Sequence, residues 1–251
     1  MNRTRILTER LVHVLDEDPD LAETIGGERR ALAIDECTAP EVLIDVGVWT
    51  GEHPAFAHGG LGLLVLQGLV IRRAGLGGRN AAELLGDGDL LRPWQVDDEA
   101  ALLPVTSEWA VLEPVRAAML DERFARHLAS YPQLASRLFG RALQRSQNLA
   151  VNMAIVHQAR VDVRLHMLFW HLAARWGRVR SDGTVVPIRL THAVLAELVA
   201  ARRPTVTSAL SDLARRGLVR LADDGWLLSG TAPGKSVEVE SVPMYSVDKI
   251  D

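Results

Sequence analysis

The sequence predicts an α+β chain in three parts: a β-rich half, a long helix and a winged helix-turn-helix. Three observations lead there. Apolar runs separated by glycines fill residues 40–112. An uninterrupted helical pattern begins at Pro132. Two short amphipathic helices and a hairpin signal crowd residues 190–228. The expected boundaries are 1–130, 131–158 and 159–251.

In the β-rich part, residues 61–67, 69–73 and 81–85 are short apolar runs. Gly68, Gly75-Leu-Gly-Gly78 and Gly86-Asp-Gly-Asp89 divide them. Turns at such regular spacing suit an all-β sandwich or barrel. Residues 102–105 and 108–112 would close it. The glycine-rich segments read as hairpin turns, because neither opens a helix as a phosphate-cradling loop does.

The pattern changes after Leu112. Pro114 suits the first turn of a helix. Asp121 would cap another, running through Phe124 and Leu128. From Pro132, Leu138, Ala142, Ser146, Leu149, Met153 and Val156 recur at three- and four-residue spacings. That is close to a coiled-coil seam, which makes Leu138, Ala142, Leu149, Met153 and Val156 candidate dimer contacts. The alternative is a helix packed on its own domain. Residues 157–162 read as a hinge. Val161, Leu165, Leu168, Phe169, Leu172 and Trp176 then form one broad apolar helix face. Ser181-Asp-Gly183 is a turn, and residues 185–189 are a short strand interrupted by Pro187.

Thr191 is a good N-cap, with Leu190 stapling onto Leu195. This helix buries Leu195, Leu198 and Val199 and stops near Ala200-Ala201. A second begins at Arg202-Arg203, with Pro204 in its first turn, where a missing N–H costs little. Val206, Ala209, Leu210 and Leu213 face inward. Arg203, Thr205, Thr207, Ser208 and Ser211 face outward. Gly217 ends the helix, and Asp223-Asp-Gly225 turns a hairpin between residues 219–221 and 226–228.

That outward face is arginine and short hydroxyls, with no acid between Ala200 and Ser211. The first turn of a DNA recognition helix enters the major groove. There arginine bonds guanine bidentately, and Ser or Thr bonds bases or phosphate. The charge distribution agrees. Residues 131–220 hold fourteen arginines, no lysine and four acids, a net +10, whereas the whole chain carries −4. A basic block on an acidic chain points to a polyanionic partner. Solvated helix faces rich in arginine are the plainer reading of the charge alone.

Other chemistries find little support. The chain has 251 residues, 48% of them apolar, enough for one large or two small domains. The single Cys37 excludes an intramolecular disulfide or a multi-thiolate cluster and suits a reducing cytoplasm. No apolar run has the length of a membrane span, and the N-terminus has no signal-peptide core. A cytoplasmic chain is expected. His53 and His58 lack the His-x-His spacing of a cupin metal site, and His157, His166 and His171 share no metal-binding face. No catalytic set, metal or cofactor is expected.

The stretch Leu190-Thr-His-Ala-Val-Leu-Ala-Glu-Leu-Val-Ala-Ala-Arg-Arg-Pro-Thr-Val-Thr-Ser-Ala-Leu-Ser-Asp-Leu resembles the DNA-binding domain of Crp/Fnr-type bacterial transcription regulators. The match is most specific over residues 160–230, and the order of parts extends it over most of the chain. The resemblance implies a cyclic-nucleotide-binding-like β jelly-roll as sensor, a dimerisation helix, and a winged helix-turn-helix that reads a two-fold symmetric site. The DNA-binding candidates are Arg202, Arg203, Thr205, Thr207, Ser208 and Thr191.

Three departures stand out. Pro204 replaces a glutamate that contacts bases in many members. Ala200 replaces a turn glycine. In the sensor, Gly88-Asp-Leu-Leu-Arg-Pro-Trp94 stands where cyclic-nucleotide binders carry Gly-Glu-Leu, so Arg92 and Trp94 become the candidate effector contacts. Asp97, Asp98 and Glu99 fall near the place of the phosphate-binding arginine, and carboxylates there oppose a phosphate. A sensor that does not bind cyclic AMP is expected. The expected partners are double-stranded DNA, a second copy of the chain, RNA polymerase as a further candidate, and an unidentified small-molecule effector or none. The alternative from another class is a small-molecule-binding, cupin-like enzyme or sensor whose helical domain makes protein contacts.

Overall fold

The computed structural model describes residues 4–52, 60–94 and 103–233. The chain forms two compact units, Met1–Met153 and Ala154–Asp251.

The first unit begins with β1 (Thr4–His13), α1 (Val14–Glu17), a 3-10 turn (Pro19–Ala22) and α2 (Gly27–Glu36). β2 (Thr38–Ile44), β3 (Gly47–Trp49), β4 (Gly62–Leu76), β5 (Arg79–Leu85), β6 (Leu90–Leu91) and β7 (Thr106–Leu120) follow, then α3 (Glu122–Leu128) and the long α4 (Pro132–Val156). The strands form one antiparallel sheet in the order β1-β2-β7-β4-β5, with β3 on β7 and β6 on β4. Successive side chains of a strand point to opposite faces, and here both faces are buried. Leu63, Val65, Ala117 and Met119 enter a cluster with Val42 and Leu85. Leu64, Ala118 and Leu120 enter another with Leu15, Leu21, Phe124 and Leu134.

Several sequence expectations are corrected here. Residues 61–67 and 69–73 are one strand. Gly68 has φ +109, and a Cβ on it would lie 2.3 Å from the Pro114 carbonyl oxygen. It marks an irregularity, not a turn. Pro114 starts no helix: it lies inside β7. The pairing passes from Gln67↔Arg116 to Leu69↔Glu113, and such a break in the ladder is where a strand tolerates a residue with no N–H. Leu138 is buried at 5% exposure in the second cluster. It is held by its own unit, so it is absent from any exposed seam. β1, α1 and α2 were not foreseen. Asp121 does cap α3, its Oδ1 accepting from Phe124 N at 2.9 Å.

The second unit comprises α5 (Val161–Trp176), β8 (Arg178–Arg180), β9 (Gly183–Val186), α6 (His192–Leu198), α7 (Arg203–Arg215), β10 (Val219–Ala222) and β11 (Gly225–Leu228). The sheet runs β10-β11-β9-β8, antiparallel throughout. The expected strand at 185–189 is shifted toward the N-terminus and ends before Pro187. Leu165, Leu168, Phe169 and Leu172 of α5 are buried, as are Leu195, Val206, Leu210 and Leu213. Trp226 of β11 closes this core, its ring 4.8 Å from that of Phe169. Helix α6, the turn and α7, followed by the β10–β11 hairpin, make the winged helix-turn-helix.

Candidate nucleic-acid interface

Helix α6 starts as its sequence requires. Thr191 Oγ1 accepts from Val194 N at 3.3 Å, satisfying one of the free N–H groups of a first turn. The helix ends in a wrapped turn. Ala201 N donates to Ala196 O at 2.9 Å and Ala200 N to Glu197 O at 3.2 Å. This pattern puts one residue in the left-handed region, and that residue is Ala200, with φ +49. Arg164 of α5 holds the turn. Its guanidinium donates to Val199 O at 3.1 Å and Ala200 O at 3.3 Å, and through Nε to Gln158 O at 2.6 Å.

Helix α7 follows after Arg202, whose extended backbone serves as N-cap, with Pro204 in the first turn. Val206, Ala209, Leu210 and Leu213 are buried. Arg202, Arg203, Thr205, Thr207 and Ser208 are exposed together on the first turns, and Thr191 is exposed at the head of α6. No described residue pairs with Arg202 or Arg203. Much of the remaining basic block is paired internally. Arg160 and Arg216 both reach Asp162, at 2.8 and 3.2 Å. The Arg160 hydrogen bond holds the Asp162 carboxyl below its ordinary range. Arg180 pairs with Asp224 at 2.8 Å.

The hydroxyls show an arrangement that sequence reasoning missed. Thr207 donates to Arg203 O at 3.1 Å, Ser208 to Pro204 O at 3.2 Å and Ser211 to Thr207 O at 3.0 Å. Each hydroxyl lies within hydrogen-bond reach of the carbonyl four residues back, and its oxygen keeps acceptor capacity when its proton goes there. Acceptors match the amino groups of adenine and cytosine in the major groove. His192 was also missed: its Nδ1 lies 3.0 Å from Thr207 Oγ1.

In the first unit, Trp94 is partly buried against the cluster containing Trp49 and Trp109, while Arg92 is exposed. The two candidate effector residues are therefore placed differently. Asp97, Asp98 and Glu99 lie outside the described residues, as do His53 and His58. Among the described residues, no three His, Cys, Asp or Glu side chains gather to hold a metal ion, and no helix is long and apolar enough to cross a membrane.

One row of side chains crosses the sheet. Trp49 pairs with Trp109, Trp109 with Arg72 and Arg72 with Glu83 across four adjacent strands. Directly paired residues share a face. The two indoles meet edge to face at 6.0 Å, and the Arg72 guanidinium lies 5.6 Å from the Trp109 ring. Arg145 of α4 completes the row with two 2.8 Å bonds to the Glu83 carboxylate.

On α4 the large exposed apolar side chains are Phe139, Leu143, Leu149, Val151 and Met153. Ala142 is exposed, and Val156 is half-buried. Phe139 and Leu143 were missed because a seam with three- and four-residue spacings fits the sequence in two phases one residue apart.

The model of the Crp-like helix-turn-helix domain matches residues 163–228. The CRP-like cAMP-activated global transcriptional regulator of Mycobacterium tuberculosis is 31% identical over 186 residues, covering 70% of this chain and 80% of that protein. Among solved structures, a CooA mutant from Carboxydothermus hydrogenoformans aligns with a TM-score of 0.58 at 17% identity, covering 88% of this chain and 94% of that one. A cyclic nucleotide-binding domain containing protein from Listeria monocytogenes aligns with a TM-score of 0.58 at 14% identity, covering 74% and 87%. At these identities the structural likeness shows a shared fold.

Proposed function

The chain belongs to the Crp family of transcription regulators, and from that membership we propose that it works as a homodimer whose α7 helices read a two-fold symmetric DNA site. It is a regulator with a helix-turn-helix DNA-binding domain, not an enzyme. The observation that carries the DNA reading is the start of α7, where Arg202 and Arg203 are exposed and paired with no described residue, beside the hydroxyls of Thr207 and Ser208. Half-sites about one DNA turn apart, roughly 34 Å, suit such a dimer. The exposed stripe of Phe139, Leu143, Leu149 and Met153 supports dimerisation through α4. Transcription control in the cytoplasm, with RNA polymerase as a further partner, follows from the same reading.

The sensor half is proposed to respond to something other than a cyclic nucleotide, although the Mycobacterium tuberculosis relative is named as cAMP-activated. Two features support this. The cationic groups in the Glu83 row are already engaged: Arg145 on Glu83, and Arg72 on Glu83 and Trp109. The face that carries this row is packed with Val42, Val65, Leu85, Trp49 and Trp109. Binding to duplex DNA across a salt series tests the central reading. The affinity should fall steeply and log-linearly as salt rises, with a selected duplex preferred over random sequence. An absence of DNA binding at low salt would refute it.

A further inference from the structure

We propose that His192 belongs to the DNA interface, held by Thr207 so that its second ring nitrogen meets the phosphate backbone only when the imidazole is protonated. This rests on the reading of α7 as the DNA-binding helix.

Thr207 lies on the exposed side of α7, one turn beyond Arg203, and His192 opens α6 beside it. Thr207 Oγ1 sits 3.1 Å from Arg203 O and 3.0 Å from His192 Nδ1. A hydroxyl has one proton to give. The Arg203 carbonyl can only accept, so both contacts become hydrogen bonds together only when that proton goes to it. The ring then donates Nδ1–H to the threonine oxygen. This selects the tautomer and leaves Nε2 bare in the neutral imidazole. A bare ring nitrogen is an acceptor and gives a phosphate oxygen nothing to bond. Once protonated, the same nitrogen is a charged donor, the kind of group that phosphate recognises.

The surroundings leave room for that charge. On the two helices that meet here, the charged groups are Glu197 on α6 and Arg203, Asp212 and Arg215 on α7, with Arg202 at the N-cap. Glu197 and Asp212 each lie five residues beyond His192 and Thr207 along their own helices. Arg164 of α5 bonds the opposite end of α6, at Val199 and Ala200. A phosphate favours the protonated ring, so the DNA complex binds a proton more tightly than the free protein does. The contribution is then fully present at low pH and is lost as pH rises through the titration of the complex.

The test uses the full chain and a duplex selected by the parent from a random-sequence pool. Affinity and its salt dependence are measured at about pH 6 and about pH 8.5. The variants are His192→Ala, His192→Arg and Thr207→Val, with Arg203→Ala as control. At the lower pH, His192→Ala should weaken binding about tenfold on every sequence and reduce the salt slope by about 1. Thr207→Val should lose part of the same effect. At the higher pH the parent and His192→Ala should bind alike, while His192→Arg binds tightly at both. Parent-like binding by His192→Ala at the lower pH overturns the proposal. So does an equal loss at both pH values, which would mark a purely structural role. If the His192 variants are parent-like and Arg203→Ala is too, the reading of α7 fails. If only Arg203→Ala is weakened, that reading survives and the role of His192 does not.

Discussion

Ala200 and Gly217 occupy the same position in two copies of one backbone turn. Each follows a helix of the second unit, and each has a positive φ, +49 and +68. Each donates its own N–H one turn back, to Glu197 O and Ala214 O, and the next residue donates to Ala196 O or Leu213 O. Glycine enters this conformation without penalty, whereas an L side chain costs about 1–2 kcal/mol there. Ala200→Gly should therefore stabilise the second unit by about 0.5–1 kcal/mol, after the glycine's greater freedom in the unfolded chain is subtracted. Gly217→Ala should destabilise it by a similar amount. Urea unfolding of the two variants checks both signs.

Arg203→Ala should weaken specific DNA binding by about 1–3 kcal/mol and relax the preference at one base position. Competition between the selected duplex and its single-base variants reads both effects. Undiminished affinity would show that the first turn of α7 does not enter the groove.

Leu149→Glu combined with Met153→Glu places two charges on the exposed apolar side of α4 and should leave a folded monomer. Phe139→Glu should act in the same direction, whereas Leu138→Glu should unfold the first unit, because Leu138 is buried in its core. Sedimentation at micromolar concentration separates these cases. A parent that is already monomeric there would rule out the dimer.

Neither cyclic AMP nor cyclic GMP should alter DNA affinity or the tryptophan emission of the first unit. Trp49, Trp94 and Trp109 lie in or against one cluster, so occupancy of that region would change their fluorescence. Saturable micromolar binding by calorimetry would overturn this expectation.

Acid should destabilise the second unit through two histidines. Burial pushes His166 and His171 below the ordinary imidazole range, with Arg216 adding to the effect on His166 and Arg175 on His171. Trp170 Nε1 also donates to His166 Nε2 at 3.1 Å, which needs that nitrogen bare. The folded state thus binds protons more weakly than the unfolded chain. Stability is retained above the unfolded imidazole value of about 6.5 and declines as pH falls below it. Thermal melting from about pH 7.5 to about pH 5 should show this decline, reduced in His166→Gln, whose amide cannot take up a proton.

What the sequence revealed and what it hid follow from the range of the interactions. The caps at Thr191 and Asp121, the glycine stop at Gly217 and the Asp223-Asp-Gly225 hairpin are decided within a few residues, and they were legible. Pro114 was misread because only its distant partner strand, broken at Gly68, makes a proline tolerable there. Leu138 was assigned to the seam because a helical repeat gives spacing but not which side the sheet will cover. The Trp49–Trp109–Arg72–Glu83 row depends on register across four strands. The bond between His192 and Thr207 depends on how two helices cross. Neither leaves a mark on its own segment.

The basic block around α7 is built from arginine alone, with no lysine from residue 131 to residue 220. Lysine acylation, which cancels charge on many DNA-binding surfaces, has no substrate there. Guanidinium groups also stay charged at any pH a cell reaches. The affinity set by Arg202 and Arg203 is thus insulated from the metabolic supply of acyl donors. A cell that needs to turn this protein off must do so by a route other than lysine charge in that block.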